Sequence, residues 1–366
     1  MNGIASHLVS ELDQQPAAGH WSRCWQSWER YWFQPAAPVG LHSIRMLTGA
    51  LLLAWLLSFA GSFPAFFGLQ GWFDAQGYAE VAHLAEGTPF DFRWSVVFLC
   101  GESPVRLTLV YGVGLLSVLL FTLGVWTRLT GALTWIVVVS FTVNPVLEYE
   151  GDALLAILTF YLMLGYLLFG QRGPGLGWQA RLLGGTDTWL LGGHGPDRQP
   201  SLAANLAVRM LQVHLAVFVV TSGLHKLQFG DWWAGVAFWY LLYPPLETTL
   251  PEARGYAASG QRLLFVLSLA AYLTLVWQIA FPMFAWRRGA QVFLLAGGLL
   301  GGLGAAFLYR LPWLGPTFFL ACLCYLTPDE WERARVIVRR CLWGRGAAKS
   351  PELIPSATTV AVRDGQ

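Results

Sequence analysis

From residue 40 onward the chain returns repeatedly to apolar runs about as long as a bilayer is thick: 40–60, 104–124, 129–145, 152–169, 202–224, 262–284, 289–308 and 312–326. A spanning helix takes roughly 20 such residues, and the third and eighth runs are the short ones. In hydrocarbon the backbone must satisfy its own hydrogen bonds, which only helices and closed barrels do. These runs are continuous rather than alternating, which selects helices. The reading is an all-α, polytopic membrane helical bundle with about eight transmembrane helices plus interfacial helices.

Composition removes the competitors. Of 366 residues, 55% are apolar and 12% charged, with a net charge of +2. Soluble domains carry about 25% charged residues, so this chain cannot clothe a soluble surface. Disorder and collagen-like structure are excluded, and so is nucleic-acid binding, for want of a basic excess. The 19 Trp, 12 Tyr and 23 Phe suit the two bilayer interfaces. The five cysteines form no CxxC pair and read as unpaired thiols. The first 40 residues lack the apolar core of a signal peptide, so the first span is expected to serve as the insertion signal.

Charge orients the spans. The N-terminal arm, the connectors after the second, fourth and sixth spans, and the C-terminal tail together hold 15 Lys/Arg. The opposite connectors hold four: Arg93, Lys226, Arg254 and Arg310. By the positive-inside rule both termini are cytoplasmic, and an odd number of spans would scramble the alternation.

Three segments read as lying on the membrane. Within a cytoplasmic arm, 1–39, Trp21, Trp25, Trp28 and Trp32 recur at helical spacing beside Arg23 and Arg30. At 327–346, Thr327-Pro328-Asp329-Glu330 opens a basic amphipathic helix suited to anionic lipid. Between them, Asp231 to Tyr243 is too short to span and too apolar for a free loop, which predicts a re-entrant or interfacial helix. A short helix is expected around Ala75–Glu86 in the acidic outer loop 61–103. The connector 170–201 reads as a flexible loop, and 347–366 as a disordered tail.

Nucleotide-binding, zincin and hydrolase motifs are missing from the sequence, and the seven histidines share no metal-ligand spacing. No metal is expected. Polar residues near spans are costly and are therefore site hypotheses. One group is Glu148, Glu150 and Asp152 at the outer start of the fourth span, where Asp152 also suits a simple helix cap. The other is the fifth span and its exit: Arg209, Gln212 and His214, then Ser222-Gly223-Leu224-His225-Lys226-Leu227, followed by Asp231, Trp232, Trp233, Gly235 and Trp239. His214 and His225 lie on one face of that span. Lys226 has two readings. One is a snorkelling cation at a helix C-terminus. The other is an amine among apolar walls, where desolvation favours the neutral form and hence a base.

The Gly223-x-x-Lys226-Leu227 element, with Trp232 and Gly235 beyond it, resembles the signature of the HTTM (horizontally transferred transmembrane) proteins. These include the vitamin K-dependent gamma-glutamyl carboxylases. Gly124 to Arg128 and Asn144-Pro145 through Gly151-Asp152 are similar in order and spacing, so the resemblance covers 40–326. It implies a quinol-type, vitamin K-like cofactor in an outer-leaflet pocket, with Lys226 as the base of a lyase-type reaction. The pocket residues would be His225, Asp231, Trp232, Trp233, Trp239, Glu148 and Asp152. Where the carboxylases have a functional His at the start of the fourth span, this chain has Gly151-Asp152. Their lumenal, propeptide-gripping domain is expected to be absent. The Gly-Leu-x-Lys-Leu exit also resembles DoxX-like quinol-linked proteins and lipase maturation factors. Short relatives of this form imply a bacterial inner membrane. Two function classes follow: an enzyme using a lipid-soluble quinol, or a non-catalytic membrane module assisting a partner oxidoreductase or maturation complex.

Overall fold

The computed structural model describes residues 20–68, 71–85, 94–100, 103–146, 150–168, 200–243, 249–308 and 310–343. Glu148, most of the connector 170–201 and the tail 347–366 lie outside them. Among the described residues the chain is helical, apart from turns and one isolated bridge between Ala36 and Ser201.

An aromatic helix α1 (His20–Phe33) leads into α2 (Val39–Ser58). The segment between α2 and the next long helix folds into α3 (Phe63–Phe67), α4 (Ala75–Ala85) and α5 (Val96–Leu99). Then come α6 (Pro104–Leu123), α7 (Thr127–Thr142), α8 (Glu150–Leu168) and α9 (Leu202–Lys226). Two short helices, α10 (Gly230–Trp233) and α11 (Ala237–Leu242), precede α12 (Leu250–Ser259). The chain finishes with α13 (Gln261–Phe284), α14 (Gln291–Phe307), α15 (Leu314–Cys322) and α16 (Pro328–Trp343).

All eight apolar runs are helical. Six helices are long and apolar enough to cross a membrane: α2, α6, α8, α9, α13, and α14 with the 3-10 turn before it. The 16 residues of α7 rise only about 24 Å. The 9 residues of α15 rise less, even with the 3-10 turn Leu323–Tyr325 that follows.

One expectation needs correcting. Asp231–Tyr243 is not one helix. It breaks into α10 and α11 at Gly235, whose φ of 70° lies in the left-handed region. A Cβ there would also press on the Tyr272 hydroxyl and Ser268, so glycine is required by both backbone and packing.

Packing sorts the helices into centre and rim. The buried share is 61% for α2 and 50% for α8, against 22% for α13 and α14. The centre is filled by Leu41, Ile44, Leu154, Leu158, Leu162, Leu211 and Leu215, with the short α15 packed against α2 and α8. Lipid tails are as apolar as leucine, so association here relies on close approach and on polar bonds. Gly49 meets Thr122 between α2 and α6, and Gly302 meets the Gly315 backbone between α14 and α15.

The ends of the helices alternate. At one end Tyr166 of α8 bonds His42 of α2 and meets Phe121 of α6. At this same end Asn205, near the start of α9, donates to the Tyr31 carbonyl of α1, the Tyr31 side chain reaches inward to Gln212 and Trp286, and Trp331 of α16 covers Gly40. Helices α1 and α16 thus share one end of the bundle. Tyr31 is buried enough there to push its phenol pKa up, against the opposing pull of Arg209. At the other end Tyr111 donates to the Leu56 carbonyl, Asn144 to the Phe66 carbonyl, and Ser95 to the Ser140 carbonyl.

Candidate functional site

Helix α9 begins cleanly, with the Ser201 hydroxyl accepting the Ala204 N–H at 3.4 Å. It runs 25 residues and ends at Lys226. Gly223 sits in its last turn because Gln278 of α13 occupies the space a Cβ would fill. That close approach seats α9 on α13 and fixes where Lys226 emerges.

The Lys226 side chain is half-buried. Its Nζ donates to Ser222 Oγ at 2.7 Å and lies 5.6 Å from the centre of the Trp232 ring. The Ser222 carbonyl is at 3.5 Å. The hydroxyl oxygen and the ring face both favour a positive charge.

The remaining predicted residues divide. Trp232 is buried beside Lys226. Trp233 is exposed; its Nε1 donates to the Leu227 carbonyl at 2.6 Å, and its own carbonyl accepts from Tyr272. Trp239 is buried in one cluster with Trp232, Phe238, Leu267, Ala271 and Leu275, with Tyr243 4.5 Å away. Trp239 therefore packs the α10–α11 hairpin onto α13, while the Trp233 indole ties α10 back to the end of α9. His225 is exposed, edge-on to Phe229 at 5.1 Å, and Asp231 is exposed in the first turn of α10.

Asp152 is buried in the first turn of α8, inside the helix rather than at its cap. Helices α8 and α9 pack antiparallel, with Gly165 against Ala207 and Tyr161 against His214. This register sets Asp152 level with residues 220–223, about one turn along α9 from Lys226. The carboxylate and the amine thus belong to the same end of the bundle.

Three polar groupings across helices were not foreseen, although Arg209, Gln212 and His214 stood out in the sequence as polar residues of one span. Tyr161 and His214 bond between α8 and α9 at 3.0 Å. His42 Nδ1 meets the Tyr166 hydroxyl at 2.7 Å, with the Arg45 guanidinium 5.5 Å over the Tyr166 ring. Gln212 donates to the Cys324 carbonyl at 2.7 Å and accepts from Arg209 and Trp286, while Arg209 covers the Tyr31 ring at 4.3 Å. The sequence signal for the second was a His and an Arg one turn apart inside an apolar run. Among the described residues, no three His, Cys, Asp or Glu side chains come together to hold a metal. No protein-family model, curated protein or solved structure matches this chain.

Proposed function

We propose that the protein is an HTTM-like enzyme of a bacterial inner membrane, with eight spans and both termini cytoplasmic. In this reading it uses a lipid-soluble quinol at the outer end of α9, with Lys226 as the base. The observation that supports it is the position of Nζ. The amine stands at the exit of a spanning helix, half-buried, with an aromatic face on one side and a hydroxyl on the other. Trp232 offers a flat apolar wall to a planar ring, and Ser222 Oγ holds the amine in place. The quinol would supply acidic hydroxyls and redox capacity. Lys226 would take a proton from such a hydroxyl once the wall excludes water from Nζ. Asp152, level with the preceding turn, is placed to balance the ammonium that results.

A second reading has its own support. Ser222 and Trp232 both stabilise the charged amine, as a snorkelling anchor requires. Lys226 would then fix α9 at the interface in a non-catalytic module that assists an oxidoreductase or a maturation complex. A mass spectrum of the lipid extract from purified protein separates the two. The enzyme reading expects a quinone in near-stoichiometric amount. An extract with no quinone beyond that of a control membrane protein favours the anchor.

A further inference from the structure

We infer a second, lipid-accessible binding site at the Tyr161–His214 pair, for the planar, hydrogen-bonding ring of a lipid-soluble quinone or quinol. The inference shares its ligand class with the proposed function but not its location, and its support does not involve Lys226.

His214 lies 12 residues from each end of α9, about 18 Å along the axis, so the pair belongs to the middle of the membrane. The surrounding surface faces lipid. On α9, Met210, Val213 and Val217 are exposed, and His214 borders that exposed face, about 40° around the helix from Met210 at 100° per residue. On α8, Phe160, Leu167 and Leu168 are exposed, and Tyr161 lies within about 20° of Leu168 around the helix at 100° per residue. Both members of the pair are half-buried. Polar groups of spanning helices ordinarily turn inward, because hydrocarbon offers them no partner. This pair sits instead at the lipid-facing seam. Its bond uses Nδ1 of His214, and among the described residues Nε2 bonds to nothing.

Phospholipid headgroups do not reach that depth. A polar partner from the lipid must therefore be soluble in the hydrocarbon itself. The neighbouring rings specify its shape. Trp135 lies 5.8 Å from Phe160, Phe160 5.3 Å from Tyr161, and Tyr161 5.7 Å from His214. This aromatic row ends at the hydrogen-bonding pair, and it suits a flat ring with oxygen at its edge.

The pair also suits both oxidation states of such a ring. When the Tyr161 hydroxyl donates to Nδ1, Nε2 carries the hydrogen and donates to a quinone carbonyl. When Nδ1–H donates to the phenol oxygen, Nε2 presents a lone pair that accepts a quinol hydroxyl. A simple tautomer change exchanges the two.

The test uses the full chain in lipid nanodiscs with a photoactivatable azidoquinone bearing a decyl tail. Adducts mapped by peptide mass spectrometry are expected on the segments holding Trp135, Phe160–Tyr161 or His214. Unlabelled decylubiquinone and decylubiquinol should each compete. His214→Leu and Tyr161→Phe, assayed separately so that one folded variant suffices, should lower this labelling at least tenfold. Lys226→Met should leave it unchanged. Labelling that is equal in wild type and both variants overturns the inference, as does labelling confined to the Lys226 end. The second result would leave the proposed function intact, so the two failures are distinguishable.

Discussion

Nζ of Lys226 donates a 2.7 Å hydrogen bond to Oγ of Ser222, one turn back on the same helix. The side chain therefore folds along α9 toward the membrane instead of reaching straight out into water. Ser222→Ala removes a charge-assisted acceptor from a half-exposed amine. After allowance for solvent screening this costs on the order of 1 kcal/mol. The midpoint of thermal unfolding in detergent should fall by no more than about 4 °C. A loss several times larger would show that Ser222 does more than hold Lys226.

The α8–α9 register predicts electrostatic coupling across the seam. Asp152→Asn and Lys226→Met should be non-additive, with a coupling of about 0.5–3 kcal/mol in unfolding free energy. Strict additivity would mean that carboxylate and amine do not sense each other.

Topology has an internal control. Cys24 on α1 and Cys341 on α16 are both exposed at one end of the bundle. A cysteine placed at Glu252, in the first turn of α12, belongs to the other. In intact cells an impermeant maleimide should label the Glu252→Cys variant and spare both native thiols. The reverse pattern would invert the protein in the membrane.

Helix α16 should loosen in acid. Burial pushes the Glu330 carboxyl up, but hydrogen bonds from the Thr327 N–H and hydroxyl and from Gln291 outweigh it and hold the pKa below the ordinary 4.5. A carboxyl lowered by folding contributes its stability above pH 4.5 and loses it as the pH falls through the depressed folded value. The amide protection factors of α16, corrected for the intrinsic exchange rate at each pH, should therefore be high at pH 7 and fall as the pH drops below 4.5. Glu330→Gln should exchange faster at pH 7 and lose the acid-induced step.

The α14–α15 crossing depends on two glycines. A Cβ on Gly302 would approach the Gly315 carbonyl oxygen at 3.0 Å, so Gly302→Val must push the backbones apart. The cost of overpacking is about 1–3 kcal/mol. A Tm fall in detergent checks it; an unchanged Tm would show that α15 is free to shift.

What the sequence revealed was what one period can carry. Continuous apolar runs gave all eight helices and the Trp stripe gave α1, because each depends only on residues close in the chain. Thr327 and Glu330 marked the start of α16 for the same reason: a capping box is local. The break at Gly235 was missed because the apolar character of 231–243 is unbroken, and only the crowding by Tyr272 shows that a turn is needed. The partners of His42, His214 and Gln212 were invisible, since they lie on helices distant in sequence. Two of the tryptophans next to Lys226 in sequence, Trp233 and Trp239, turn out to serve the hairpin, whereas Ser222, read only as part of a motif, holds the amine.

Oxygen uptake driven by a short-chain hydroquinone, with protein in nanodiscs, tests the central claim about Lys226 most directly. Uptake above spontaneous autoxidation is expected for wild type, and the autoxidation rate alone for Lys226→Met, whose lipid extract still contains quinone. A Lys226→Met protein that consumes oxygen as fast as wild type would rule out Lys226 as the base and leave it an interfacial anchor.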